Sequence, residues 1–281
     1  HPVQQAMVVH HGSQCGFCTP GFVMTLFAEY RSSPRLDRRA TNDALAGNLC
    51  RCTCDRPIAD AADAMYTRGE DESGDDRLRA QHGAMNTKAI AAEREVIETL
   101  KSLQRDSTLT VSKANRAIHL PTTPTGLAQA LADNPDATIV AGGTDVGLWV
   151  TKQFRDMDQL IYIGGIKALR SITADDTAVH IGAGVTFTEA MPTLVEHFPA
   201  LEPLLRRFAS PPVRNAATIG GNVANGSPSG ESMPAFIALN ASVTLTSASG
   251  SRQLPLDSLY HDYMVNAMEP GEFGASLDLP T

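Results

Sequence analysis

Five cysteines occur in the chain, Cys15, Cys18, Cys50, Cys52 and Cys54, and all fall within the first 54 residues. Cys15-Gly-Phe-Cys18 and Cys50-Arg-Cys52 form two close pairs. Thiols clustered in one part of a larger chain point to metal. A secreted disulfide scaffold would be short and would usually hold an even number. By ligand count, four thiolates suit Zn²⁺, a [2Fe–2S] cluster or a [4Fe–4S] cluster, although a C-x-C pair is unusual for zinc. Two glycine loops suggest a second chemistry: Val140-Ala-Gly-Gly-Thr-Asp-Val-Gly147 and Ala217-Thr-Ile-Gly-Gly-Asn-Val223. Glycine lets backbone N–H groups approach a pyrophosphate closely, and a following helix start adds favourable charge. Neither loop matches G-x-G-x-x-G or G-x-x-x-x-G-K-S/T, so the Rossmann and Walker readings are rejected. No serine nucleophile motif, paired carboxylates or zinc-protease signature accompanies them.

These residues need elements to hold them. Gly21 to Arg31 places Phe22, Val23, Leu26, Phe27 and Tyr30 on one helical face, with Pro20 near its start. A shorter helix, Asn42 to Ala46, follows Thr41 as N-cap and ends at Gly47, and a third runs from about Pro57 to Tyr66. Residues 1–67 therefore read as a small all-α domain. Each cysteine pair comes directly before a helix, where free N–H groups and the positive dipole end favour an anionic cluster. Thr67 to Gly83 is charged and almost free of apolar residues, so 68–113 reads as a linker carrying one helix, about Ala89 to Leu103. In residues 114–281 the pattern is α+β. Strands are expected at Ala117–Pro121, Thr138–Ala141, Gln159–Ile163, Val179–Gly184 and Ser242–Thr246. Helices are expected at Thr125–Ala132, Thr188–His197 and Pro203–Phe208.

The gross numbers agree with two globular domains. The 281 residues are 42% apolar and 19% charged, and no run is long and apolar enough to span a bilayer. A balance of 23 Lys+Arg against 31 Asp+Glu, net −8, argues against nucleic acid or an anionic membrane as the main partner. A cytoplasmic location is expected. The chain opens at His1-Pro2 and stops at Pro280-Thr281 after what reads as a strand, so it is expected to be a fragment truncated at both ends.

His11-Gly-Ser-Gln-Cys-Gly-Phe-Cys-Thr-Pro-Gly-Phe22 and Gly47-Asn-Leu-Cys-Arg-Cys-Thr53 resemble the helical [2Fe–2S]-binding domain of the xanthine dehydrogenase and aldehyde oxidase family of molybdenum hydroxylases. The resemblance implies that Cys15, Cys18, Cys50 and Cys52 are the four iron ligands. It also implies that Gln14 touches the pterin of a molybdenum cofactor held by a partner chain or domain. The family usually continues Cys-Arg-Cys-Thr-Gly-Tyr-Arg-Pro, whereas this chain has Cys52-Thr-Cys-Asp-Arg-Pro57. Cys54 is expected to be a surface or packing thiol, and His10 and His11 ordinary loop histidines. The family's second [2Fe–2S] cluster would belong to sequence upstream of His1.

The first glycine loop resembles the pyrophosphate-binding turn of the family's FAD domain. Arg206-Arg-Phe-Ala-Ser-Pro-Pro-Val-Arg-Asn-Ala-Ala-Thr-Ile-Gly-Gly-Asn-Val-Ala-Asn-Gly-Ser-Pro228 resembles its second FAD motif. By position, Ile139, Val140, Ala141, Gly142, Gly143, Thr144, Asp145 and Val146 would line the phosphates. Thr218, Ile219, Gly220, Gly221 and Asn222 would grip the cofactor from the other side, with backbone at Gly143 and Gly221 reaching the pyrophosphate. Phe208 would lie near the isoalloxazine ring, and Glu231 stands where the family has Asp.

The resemblance implies a multi-domain chain, an all-α cluster domain followed by an α+β FAD-binding domain of the CO dehydrogenase flavoprotein or PCMH-like type. It implies electron flow from a molybdenum-cofactor-binding large subunit through [2Fe–2S] to FAD and on to NAD⁺. Fusion of cluster and FAD domains in one chain favours the xanthine dehydrogenase type, and hence purine catabolism. Rival readings are a molybdenum hydroxylase acting on aldehydes or other N-heterocycles, and a non-enzymatic zinc-binding interaction module.

Overall fold

Proline stands within the first two positions of three of the four short helices that build the first unit, because its fixed φ suits a first helical turn that needs no N–H partner. The computed structural model describes residues 1–33, 35–53, 56–66, 87–227, 230–263 and 265–281, grouped into two units, His1–Gln104 and Arg105–Thr281. In the first unit α1 (Pro2–Val9), α2 (Thr19–Ser32), α3 (Arg38–Leu45) and α4 (Arg56–Ala64) surround one core. The four-residue spacing of Phe22, Leu26 and Tyr30 puts them on one face of α2, and all three are buried. They meet Val3, Ala6 and Met7 from α1 and Ile58, Ala61 and Ala62 from α4. Burying each large side chain contributes roughly 1.5–3 kcal/mol.

The structure corrects the expected start of α3. Its N-cap is Asp37, whose carboxylate accepts from the Ala40 N–H at 2.7 Å, while Thr41 is buried inside the helix. Arg38 and Arg39 hide the first turn from any apolar pattern, but a carboxylate at a free helix N-terminus is favourable whatever follows. The unit ends with α5 (Thr87–Ser102), on which Val96, Ile97 and Leu100 are exposed.

The second unit contains two sheets. The first has the order β1-β2-β4-β3, from β1 (Leu109–Lys113), β2 (Arg116–Leu120), β3 (Thr138–Val140) and β4 (Gln159–Tyr162). β2 and β3 both run parallel to β4, while β1 pairs with β2 antiparallel. Parallel neighbours require helical crossovers, supplied by α6 (Pro124–Asp133) and α7 (Val146–Thr151). β1 lies in the stretch expected to be linker. It is exposed along its whole length, so no alternation marked it as a strand.

The second sheet is antiparallel with the order β5-β6-β11-β7-β8, from β5 (Ile172–Ala174), β6 (Ala178–Gly182), β7 (Ser242–Ser247), β8 (Gly250–Pro255) and β11 (Phe273–Pro280). Between β6 and β7 come α8 (Phe187–His197), α9 (Glu202–Arg207), α10 (Pro211–Arg214), α11 (Ile219–Asn225) and α12 (Ser232–Ala238). They share a core with this sheet that includes Phe187, Leu194, Phe236, Val243 and Leu277. A two-stranded ribbon, β9 (Tyr260–Asp262) and β10 (Val265–Asn266), precedes β11.

Candidate functional site

The two cysteine pairs stand at the helix starts that the sequence suggests. Cys18 is the residue before α2, and Cys50 and Cys52 lie shortly before α4. The folded pairing crosses the sequence pairing. The Cys52 thiol donates to Cys15 Sγ at 3.5 Å, and Cys18 hydrogen-bonds with Cys50. Cys15 and Cys52 are exposed, whereas Cys18 and Cys50 are half-buried against the helical core. Around Cys50, the Thr53 hydroxyl at 3.0 Å and its backbone N–H at 3.4 Å pull the thiol down to about 7. Cys15 is lowered by a backbone hydrogen bond at Phe17 and then by the Cys52 thiol. Burial and then Cys50 raise Cys18, and the hydrogen bond to Cys15 raises Cys52.

This arrangement suits some metal groups better than others. Among the described residues no three His, Cys, Asp or Glu side chains converge on one point as a single metal ion would need. Two crossed pairs of thiols fit a two-iron core, in which each iron takes two thiolates. Gln14 is exposed beside Cys15. His10 and His11 follow the end of α1, and among the described residues no hydrogen bond joins them to the thiols. Cys54 lies outside the described residues.

In the second unit the two glycine loops, far apart in sequence, meet at one cavity of about 530 Å³. Gly142 is the point of contact: a Cβ there would stand 1.8 Å from the Ala216 carbonyl oxygen, so only hydrogen fits. A second tie joins the loops, from Asn225 Nδ2 to Asp145 Oδ2 at 2.9 Å. The first loop follows β3, and Gly143 turns it with φ +70°, a conformation L side chains rarely adopt. Among the described residues no hydrogen bond occupies the backbone N–H groups of Gly142, Gly143, Thr144 and Asp145. A run of free donors in a turn facing a cavity is what an anion needs.

The second loop is built differently. The Ile219 N–H donates to Val185 O and the Gly220 N–H to Ala183 O, which zips the loop onto the strand end after β6. Thr218 caps α11 by accepting from the Gly221 N–H at 3.0 Å. The expectation that Gly221 offers its amide to phosphate is therefore corrected, since that amide is already engaged by the cap. This loop supplies wall and spacing, while the first supplies donors.

The expected FAD residues divide accordingly. Ile139, Ala141, Gly142, Gly143, Thr144, Asp145, Val146, Thr218, Gly220, Gly221 and Asn222 all line the cavity. Val140, the last residue of β3, does not, although its strand neighbours Thr138 and Ile139 do. Ile219 is fully buried in the second core. Phe208 also sits in that core, its ring centroid 4.4 Å from that of Phe187, and it does not line the cavity. Glu231 is exposed at the start of α12 and away from the lining. The cavity has walls the sequence did not suggest: Leu127 and Leu131 from α6, Trp149 from α7, Arg155, and Glu272 to Gly274 at the start of β11. They come from distant elements and carry no local motif.

Comparison with known proteins agrees with this two-site architecture. Residues 112–281 match a family described as the FAD binding domain in molybdopterin dehydrogenase, and residues 1–63 match a [2Fe-2S] binding domain. Xanthine dehydrogenase of Emericella nidulans is 27% identical over 320 residues, covering 100% of this chain and 24% of the relative. Aldehyde oxidase 1 of Cavia porcellus is 30% identical, with the same coverage of 100% and 24%. The chain thus spans about a quarter of the length of these curated relatives. Quinoline 2-oxidoreductase from Pseudomonas putida 86 superposes with a TM-score of 0.55 at 25% identity, covering 61% of this chain and 60% of that one. Carbon monoxide dehydrogenase from Hydrogenophaga pseudoflava gives a TM-score of 0.56 at 26% identity, with 61% of each chain covered. Among the described residues no helix is long and apolar enough to cross a membrane.

Proposed function

Because the chain belongs to the molybdopterin dehydrogenase family, with its [2Fe-2S] binding and FAD binding domains, we propose that it is the electron-transfer portion of a xanthine dehydrogenase-type enzyme. The observation that carries the reading is one chain holding both crossed thiol pairs at helix starts and a cavity floored by free backbone amides. A bound [2Fe–2S] cluster supplies one-electron transfer and bound FAD both one- and two-electron transfer, so the pair links a metal centre to a hydride acceptor.

The chain's own residues hold and tune these groups. Cys15 with Cys52, and Cys18 with Cys50, would each ligate one iron. The Thr53 hydroxyl and N–H, donating to Cys50 Sγ, stabilise its thiolate form. The amides of Gly142 to Asp145 would receive the FAD pyrophosphate, and Thr218, Gly220 and Asn222 close the opposite wall. Leu127 and Leu131 make that enclosure apolar and reduce the water in it. Gln14, exposed beside Cys15, would face the pterin of a molybdenum-cofactor-binding partner subunit.

Electrons would enter from that partner and leave to NAD⁺, with a purine as the substrate oxidised there. The relatives named xanthine dehydrogenase that align with the whole chain support this finer reading, and the relative named aldehyde oxidase supports an aldehyde-oxidising rival. An absorption spectrum with iron and flavin analysis of the complete protein tests the electron-transfer role. Iron–sulfur and flavin bands together are expected, with about two irons bound by the four thiolates. A colourless zinc protein would overturn it. Xanthine-dependent NAD⁺ reduction, compared with aldehyde turnover, tests the substrate.

A further inference from the structure

Among the described residues three charged side chains line the flavin cavity: Asp145, Arg155 and Glu272. Glu272 is neutralised by Arg252, whose guanidinium reaches both carboxylate oxygens at 2.7 and 2.8 Å. Asp145 is held instead by the neutral amide of Asn225, which brings no positive charge to it. A pyrophosphate seated on the amides of Gly142 to Asp145 would therefore meet an uncompensated carboxylate in the same loop. Among the described residues, Arg155 is the one Lys or Arg that lines the cavity.

The chain holds Arg155 in place by an unusual route. After α7 the backbone turns back on itself through Phe154, at φ +55°, and the Arg155 N–H donates to Trp149 O at 3.0 Å. The left-handed conformation is unfavourable for a non-glycine residue, whose Cβ crowds the following carbonyl oxygen. Phe154 is 87% exposed, so packing of its ring does not offset that cost. What the turn achieves is the placement of Arg155, whose guanidinium carbon lies 4.9 Å from the centre of the Trp149 ring. Trp149 in turn lies one helical turn beyond Asp145, with its N–H donating to Asp145 O. A cation resting on an indole face is held in one region without being neutralised.

We infer that Arg155, held by Trp149, is an anchoring residue for the FAD pyrophosphate, supplying the positive charge that the amide loop and Asp145 lack. The inference rests on the flavin reading of this cavity. In the dinucleotide complex the guanidinium donates to phosphate oxygen while the ring beneath fixes its plane, a geometry suited to arginine.

The test is a charge series in the full chain after removal of flavin, with FAD affinity measured by fluorescence titration at several ionic strengths. Arg155→Gln should weaken FAD binding about ten-fold at low salt, and Arg155→Glu should weaken it further. Both losses should shrink towards the unaltered protein's affinity near molar salt, because an exposed charge is screened there. Equal affinity in all three proteins, or losses identical at every salt concentration, would overturn the inference and leave Arg155 a packing residue. If the unaltered protein failed to bind FAD at any salt, the flavin reading itself would fall, and this inference with it.

Discussion

Gly142→Ala should part the two loops that form the flavin cavity. The added Cβ would stand 1.8 Å from Ala216 O, 2.4 Å from Ala216 C and 3.0 Å from Ala217 N. All three are backbone atoms, so no rotamer change can relieve the overlap. An ordinary contact requires the loops to separate by roughly 1.5 Å or more. Overpacking of this kind costs about 1–3 kcal/mol. If that cost falls on the bound state, FAD affinity drops by roughly 5- to 150-fold. Two neighbouring glycines act as internal standards. At Gly143 the nearest atom to an added Cβ is Val140 Cγ1 at 3.8 Å, so Gly143→Ala acts only through its φ of +70°, at about 1–2 kcal/mol. Gly147 lies inside α7 with nothing within 4 Å, so Gly147→Ala should raise stability by up to about 1 kcal/mol and leave FAD binding unchanged. The assay is flavin fluorescence titration of each flavin-free variant beside its thermal melt. Native Tm and native FAD affinity in Gly142→Ala would refute the apposition of the two loops.

Three further outcomes can be checked. Single Cys→Ser changes at 15, 18, 50 or 52 should each strip iron, whereas Cys54→Ser should retain about two irons; iron kept in Cys52→Ser and lost in Cys54→Ser would show the ligand choice to be wrong. Thr218→Val removes the cap on the Gly221 N–H and should cost about 1 kcal/mol of stability, and an unchanged urea midpoint would count against the cap. His180 bridges Asp278 at 2.6 Å and Asp175 at 3.1 Å, and these hydrogen bonds, Asp278's first, raise its pKa above the ordinary value. The stability it adds is full below the unfolded-state value of about 6.5 and is lost as pH rises through the folded value. His180→Gln should therefore differ most from the unaltered protein in mildly acidic urea melts and converge with it in alkali. A constant difference across that range would exclude the charge as the cause.

Local chemistry was legible in the residues. The helical spacing of Phe22, Leu26 and Tyr30 determined α2, and the cysteine spacing with the following prolines determined that thiols stand at helix starts. The two glycine loops announced tight backbone. Tertiary structure decided what these features do. The thiols pair Cys15 with Cys52 and Cys18 with Cys50, across the two motifs, because the core that packs α2 against the other helices sets which sulfurs meet. Gly221 looks equivalent to Gly143 in sequence, yet its amide is taken by Thr218 while the amides from Gly142 to Asp145 stay free. Phe208 reads as a ring near flavin but is buried against Phe187, since an aromatic between two apolar elements gains more from a dry core than from a cavity wall. Trp149, Arg155 and Glu272 carry no motif at all. They reach the site because two sheets with separate cores bring chain segments more than a hundred residues apart around one cavity. Spacing along a chain encodes only what neighbours do, and which distant surfaces share a cavity is settled when the cores pack.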